Sequence, residues 1–199
     1  MFDLTVLWGP TQEAWFRDVN RFAIHTAWLH TPARLFAQYG VAVFAVLLLV
    51  SWLLARRTGE PRRVAAALWA PFGVLVAVGL NQPISRSVAE TRPYTVFPHA
   101  LTLVARSADF SFPSDHSVMA GAAAVGVLLA NRRLGLATAA LALLMAATRV
   151  YVGAHWPLDV VAGLVIGAGF ALAAYAVVRP LLVRIVERLG RTPLRALVR

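Results

Sequence analysis

The sequence predicts an all-α integral membrane helical bundle of about five transmembrane helices, and three observations predict it. First, 59% of the 199 residues are hydrophobic and only 14% are charged, against about 45–50% and about 25% in soluble domains. Second, mean hydropathy is +0.68, and a soluble chain of this length could not enclose so much apolar surface in one core. Third, five separate stretches approach the roughly 20 mostly apolar residues that a bilayer crossing takes. The chain has no Cys, which excludes disulfides, thiolate catalysis and thiolate metal sites.

Residues 1–34 come before the spans. Glu13, Arg17, Asp18 and Arg21 are interleaved with Trp15, Phe16, Phe22 and Trp28. This is too polar to span and too aromatic for a free loop, so an amphipathic segment lying in the membrane interface is expected. A basic start followed by an uninterrupted apolar run is missing, so no signal peptide is expected. The expected spans run over about 35–55, 64–83, 115–131, 134–152 and 157–178, and together make a membrane core over 35–178. The third contains Ala120-Gly121-Ala122-Ala123-Ala124. Small residues let helices approach closely in lipid, so the third and fifth spans are expected inside the bundle. In the tail, 179–199, Leu181, Leu182, Ile185, Val186 and Leu189 alternate with Arg184, Arg188, Arg191 and Arg195. That pattern predicts a basic amphipathic helix on anionic lipid, disturbed at Pro193.

Net charge is +10 and every basic residue is Arg. In a soluble chain this would point to nucleic acid. Here the charge is concentrated in three segments: Arg56, Arg57, Arg62 and Arg63; Arg132 and Arg133; and the tail from Arg179. With five spans these fall on one side of the membrane, which the positive-inside rule makes cytoplasmic. No nucleic-acid partner is then needed. The N-terminal segment, the loop over 84–114 and the turn over 153–156 fall on the outer side, where Trp8, Trp28 and Trp156 are expected at the lipid interface.

Three polar clusters share that outer side: Arg86 with Glu90-Thr91-Arg92-Pro93; Phe112-Pro113-Ser114-Asp115-His116-Ser117; and Thr148-Arg149 through His155-Trp156-Pro157-Leu158-Asp159. His155 and Asp159 are four apart where a helix begins with Pro157 in its first turn. They share a face, so the carboxylate can hold one imidazole nitrogen and leave the other free. Arg149 suits bidentate contact with a phosphate. Ser114 sits at an N-cap, where free N–H groups and the helix dipole favour an anion. His116 could protonate a leaving oxygen. Two His, a supporting Asp, several Arg and a helix N-terminus fit phosphoryl transfer, although spacing leaves open which His attacks. The blander readings make Arg86 and Arg106 solvated charges, His25, His30 and His99 interfacial or structural, and Asp109 a turn residue. Glu90 either pairs with a site Arg or faces water.

The order Arg92-Pro93, then Pro113-Ser114-Asp115-His116, then Arg149, His155 and Asp159 resembles the three-part signature of the type-2 phosphatidic acid phosphatase superfamily, which includes vanadium haloperoxidases. Asp115, in place of the commoner Gly, and the stretch 149–159 resemble the bacterial undecaprenyl-diphosphatase branch. The resemblance implies that His155 is a nucleophile forming a phosphohistidine, with Asp159 orienting it and His116 as general acid. It implies that Arg92 and Arg149 clamp the phosphoryl oxygens, helped by Ser114 and Asp115, and that no metal or cofactor takes part. One departure is that the Lys usually found seven residues before the Arg is Ser85 here, next to Arg86. Arg86 and Glu90 are therefore candidate rather than family-assigned phosphate ligands.

The function so implied is hydrolysis of a polyprenyl diphosphate lipid to its monophosphate at the outer face of the cytoplasmic membrane, recycling a cell-wall carrier. The expected partners are that lipid, the membrane and anionic lipid at the tail. Phosphatidic acid, phosphatidylglycerol phosphate and diacylglycerol pyrophosphate are alternative substrates, and a non-catalytic lipid-binding or transport module is the alternative of another class.

Overall fold

The computed structural model describes the backbone of residues 4–198 and side-chain surroundings from residue 9 onward. The side chain of Trp8, one of the expected interface aromatics, therefore lies outside the described residues. The elements are α1 (Leu4–His25), α2 (His30–Arg56), α3 (Pro61–Val88), the single turn α4 (Pro93–Val96), α5 (Asp115–Ala130), α6 (Arg132–Tyr151) and α7 (Pro157–Leu189). Short 3-10 turns lie at Ala27–Leu29 and Pro193–Leu197. The chain is thus the expected all-helical bundle. Among the described residues, four helices, α2, α3, α6 and α7, are long and apolar enough to cross a membrane.

The predicted third span, α5, has only 16 residues, or about 24 Å at 1.5 Å per residue. It is short because it is the centre of the bundle, packed against α2, α3, α6 and α7. Ala120, Ala122 and Ala123 are fully buried, so neighbouring backbones come close on every side. The closest approach is to α7. A Cβ added at Gly163 would stand 2.8 Å from both the Ser114 carbonyl oxygen and Ser117 Cβ, and Gly167, one turn on, faces the Val118 backbone as tightly. This small-xxx-small stripe brings the N-termini of α5 and α7 together, and the Ser114 N–H donates to the Asp159 carbonyl at 3.1 Å. At the other end, Asn131 breaks α5 with an extended backbone and caps α6 by accepting from the Leu134 N–H at 3.0 Å.

The N-terminal segment is a helix with one buried stripe, Gln12, Phe16, Asn20 and Ala23, and an apolar exposed side with Trp15, Phe22 and Ile24. The stripe docks onto the same end of the bundle as the N-termini of α5 and α7. Phe16 packs edge-on against Trp156 at 5.2 Å between centroids. Asn20 exchanges two hydrogen bonds with the Leu101 backbone.

Two expectations need correction. Trp156 is not at a lipid interface. It is buried, and its Nε1–H donates to the Thr91 carbonyl at 2.8 Å. Nor is the tail a separate amphipathic helix, because α7 continues through Pro180 to Leu189. The chain then turns back so that Val198 is buried beside Ala55, Val64 and Val186, and the Trp52 Nε1–H donates to the Leu197 carbonyl at 3.1 Å. The predicted four-Arg stripe is split. Arg184 and Arg188 lie on α7, whereas Arg191 and Arg195 lie beyond it. The directions of the helices put all three Arg-rich segments at the end opposite the three polar clusters.

Candidate active site

His155 lies in the turn joining α6 to α7. Gly153, in the left-handed region at φ 77°, makes that turn tight enough for the Leu101 carbonyl to sit where a Cβ would be. The turn carries His155 directly in front of α7. Asp159 is the third residue of α7 and accepts from the Trp156 N–H at 2.9 Å, so its carboxylate is fixed by the helix start itself.

The two imidazole nitrogens of His155 meet opposite chemistry. Nδ1 faces acceptors only, the Ser111 carbonyl at 2.9 Å and Asp159 Oδ2 at 3.3 Å. Nε2 faces a donor, Arg92 Nη1 at 3.1 Å. A guanidinium cannot accept. The proton therefore sits on Nδ1 and the lone pair on Nε2. His155 is fully buried, and that burial, followed by the charges of Arg92 and Arg149, holds its pKa well below the usual imidazole range, against the pull of the Ser111 carbonyl. The ring is neutral, and Nε2 carries the unprotonated lone pair.

A cavity of about 460 Å³ lies against His155. Arg86, Arg92, Arg149, His116 and His155 all line it. Arg92 is buried and braced: Nη1 donates to the Ala154 carbonyl at 2.9 Å, and Nη2 pairs with Asp109 Oδ1 at 2.9 Å. Arg149 is buried at the end of α6 and spends Nη1 on the Ala37 carbonyl at 3.3 Å. Its Nε is buried with no acceptor among the described residues. His116 is half-buried in the first turn of α5. Arg86 is exposed on the last turn of α3, on the cavity wall.

Three candidates are placed differently from expectation. Ser114 is at the N-cap of α5, but its side chain makes no capping bond, and Oγ is buried with no partner among the described residues. Asp115 borders the cavity with its carboxylate already held by Asn81 Nδ2 at 2.7 Å and Gln82 Nε2 at 3.0 Å; it ties α5 to α3. Glu90 is not a phosphate ligand and does not face water. It is buried on the other side of the site, where Oε1 accepts from Gln12 Nε2 at 2.8 Å. The reason is local. Ala89 ends α3 with a left-handed backbone, and the Glu90 carbonyl is taken by the Ser111 N–H, so residues 90 and 92 point to opposite sides.

Sequence reasoning missed five contributors. Asp109, read as a turn residue, grips Arg92; although burial acts against it, hydrogen bonding from Ser107 and the Arg92 charge hold its carboxyl below the usual range. Ser111 donates to Asp159 Oδ2 at 2.5 Å. Gln12 reaches the site from α1. Asn81 and Gln82 left a legible signal, since a polar pair inside an apolar span is costly and marks a function. His30 is structural as expected, with Nε2 on the Ala23 carbonyl.

The sequence profile of the PAP2 superfamily matches residues 66–182. Undecaprenyl-diphosphatase BcrC of Bacillus subtilis (strain 168) is 30% identical over 179 residues, covering 86% of this chain and 90% of the relative. Decaprenylphosphoryl-5-phosphoribose phosphatase of Mycobacterium tuberculosis (strain ATCC 25618 / H37Rv) is 33% identical over 150 residues, covering 73% of this chain and 81% of the relative. Among solved structures, the crystal structure of Aquifex aeolicus LpxE superposes with a TM-score of 0.60 at 20% identity, covering 82% of this chain and 93% of that one. That likeness concerns the fold.

Proposed function

This chain belongs to the PAP2 superfamily and is a multi-span membrane lipid phosphatase, and from that premise we propose that it removes the terminal phosphate of a polyprenyl diphosphate. The observation that carries the proposal is the fixed tautomer of His155, with an unprotonated Nε2 beside Arg92 and the ring lining an arginine-lined cavity. The Nε2 lone pair attacks the terminal phosphorus, an N–P bond forms and the bond to the bridging oxygen breaks. Arg92 and Arg149 hold the phosphoryl oxygens as charge develops on them. His116 gives its proton to the leaving oxygen, which departs as the lipid monophosphate. Water then attacks phosphorus and passes a proton to His116, the N–P bond breaks and inorganic phosphate leaves. Nδ1–H stays on its acceptors throughout, and no step calls on a metal.

The similarity to a relative named undecaprenyl-diphosphatase over most of both chains supports the polyprenyl diphosphate. The relative named for a decaprenylphosphoryl substrate supports a prenyl lipid but a different phosphate. The Arg-rich segments, all at the far end of the bundle from His155, support a site on the outer face of the membrane under the positive-inside rule.

The test is phosphate release by the purified protein in detergent, with chelator present, from undecaprenyl diphosphate, phosphatidic acid, phosphatidylglycerol phosphate and diacylglycerol pyrophosphate in parallel. The expected outcome is the highest kcat/KM on the first, abolished by vanadate and lowered at least about 10⁴-fold by His155→Ala. A His155→Ala protein working at the wild-type rate would sink the mechanism. Higher kcat/KM on another lipid would reassign the substrate.

A further inference from the structure

On the side of His155 away from the cavity, two carboxyls meet inside the protein. Asp159 is fully buried. Its Oδ2 accepts from Ser111 Oγ at 2.5 Å, the Trp156 N–H at 2.9 Å and His155 Nδ1 at 3.3 Å. Its Oδ1 is equally buried and has no donor among the described residues. Glu90 is buried beside it: Ser111 joins the two residues, its N–H donating to the Glu90 carbonyl at 2.8 Å and its Oγ to Asp159, and the two carboxyls act on each other. One oxygen of Glu90 takes the Gln12 amide at 2.8 Å, and the carboxyl borders an apolar pocket of Phe112, Leu158, Val161 and Ala162.

Two carboxylates in contact inside apolar surroundings do not both stay ionised, because mutual repulsion adds to the desolvation of each. Asp159 has three donors on one oxygen, which favour its charged form. Glu90 has one amide donor and an apolar wall, which favour its neutral form. A proton on Glu90 then supplies the donor that Asp159 Oδ1 lacks.

We propose that Glu90, as a neutral carboxylic acid held by Gln12 from α1, is a positioning residue that donates its hydrogen to Asp159 Oδ1 and locks the Asp159–His155 pair for attack. The inference rests on the reading of His155 as nucleophile. It gives α1 a part in the reaction and explains why a glutamate two residues before Arg92 faces away from the phosphate cavity. Sharing the proton also makes Asp159 a weaker base, so Nδ1–H stays on the imidazole. Removing the proton at alkaline pH sets two negative charges against each other, parts the carboxyls and frees the imidazole. The titratable and charged groups around the pair are His155 and the Arg92–Asp109 ion pair; α1 and the loop before α5 contribute the neutral Gln12 and Ser111.

The experiment measures kcat and KM against pH for the full chain in detergent micelles with undecaprenyl diphosphate, comparing wild type, Glu90→Gln and Glu90→Ala, with Tm recorded for each. Glu90→Ala is expected to lower kcat about tenfold with KM little changed, the rate equivalent of one lost buried hydrogen bond. Glu90→Gln, whose amide can still donate to Oδ1, recovers most of that loss. The alkaline fall in kcat of the wild type is absent from Glu90→Gln, because an amide does not titrate. Equal loss in both variants, an unchanged alkaline limb in Glu90→Gln, or a rise in KM without loss of kcat would each overturn the proposal. Should Glu90→Ala lose its fold, the Glu90→Gln profile decides alone. A fully active His155→Ala would instead overturn the parent reading, whereas an inactive His155→Ala beside an unchanged Glu90→Gln profile would remove only the role of Glu90.

Discussion

The two ends of this bundle use the same side chain for opposite purposes. At one end Arg92 and Arg149 are buried, and each is braced by backbone carbonyls. At the other end Arg57, Arg62, Arg132, Arg133, Arg184 and Arg188 are exposed, and Arg63 makes only a surface pair with Glu60. A buried guanidinium pays a large desolvation cost that only a partner can offset. Arg92 has Asp109 for part of this, and the buried Nε of Arg149 has no acceptor among the described residues. The exposed arginines keep their water, and their contribution is the sum of their charges at a membrane surface. Sequence position does not separate the two groups, since Arg132 and Arg149 belong to one helix. Depth within the bundle does.

The comparison breaks most easily at Arg149. Arg149→Gln removes the charge and the unpartnered Nε donor, and kcat/KM on the diphosphate is expected to fall about 10²–10³-fold, as when one preorganised donor to a developing charge is lost. A loss under tenfold would mean that Arg149 supports the fold and not the phosphate. Gly163→Ala comes next. It forces α5 from α7 at the point where Ser114 meets Asp159, and overpacking of this kind costs about 1–3 kcal/mol. Tm and activity should fall together, and an unchanged Tm would show that the two helices can slide apart.

A smaller signal separates the histidines. Burial and two guanidinium charges depress the pKa of His155, so its ring stays neutral as pH falls through the ordinary imidazole value of 6.5. Nitrogen spectra of labelled protein should show His155 with its proton on Nδ1 and no protonation over that interval. A ring that gains a second proton there would contradict the tautomer. The smallest effect belongs to the far end. Arg184→Gln and Arg188→Gln should leave kcat/KM in detergent within about twofold, as exposed charges away from partners do. They should weaken binding of the protein's Arg-rich end to anionic lipid. A large kinetic effect would link the two ends through α7.

Much of the fold was legible, because the hydrocarbon core imposes a length and polarity that any crossing segment has to meet. The spans at 35–55, 64–83, 134–152 and 157–178 fall within α2, α3, α6–turn and α7 for that reason. The span expected at 115–131 is α5 to within one residue, whereas α7 runs past its expected end at 178 to Leu189, because packing against protein, unlike contact with lipid, sets no fixed length. In the site, His155, His116, Arg92 and Arg149 were legible as residue types in a spaced pattern, and they do line one cavity. Ser111, Asp109 and Gln12 were not, because a Ser, an Asp and a Gln in polar segments carry no periodic signal.

Composition alone made this chain a membrane protein, since apolar surface on this scale has no other place to go. The uneven spread of Arg along the chain was enough to distinguish the two ends. The spacing of four foretold that His155 and Asp159 are neighbours, though they meet across the helix start and not on one helix face, because His155 stands in the turn ahead of α7. What only the tertiary structure decided was which nitrogen of His155 is free, on which side of the site Glu90 stands, and that α1 reaches the nucleophile's support. Each depends on contacts between residues 44 to 78 positions apart in the chain. Such contacts are set by how closely helices pack and how their ends are capped, and local spacing carries no information about either.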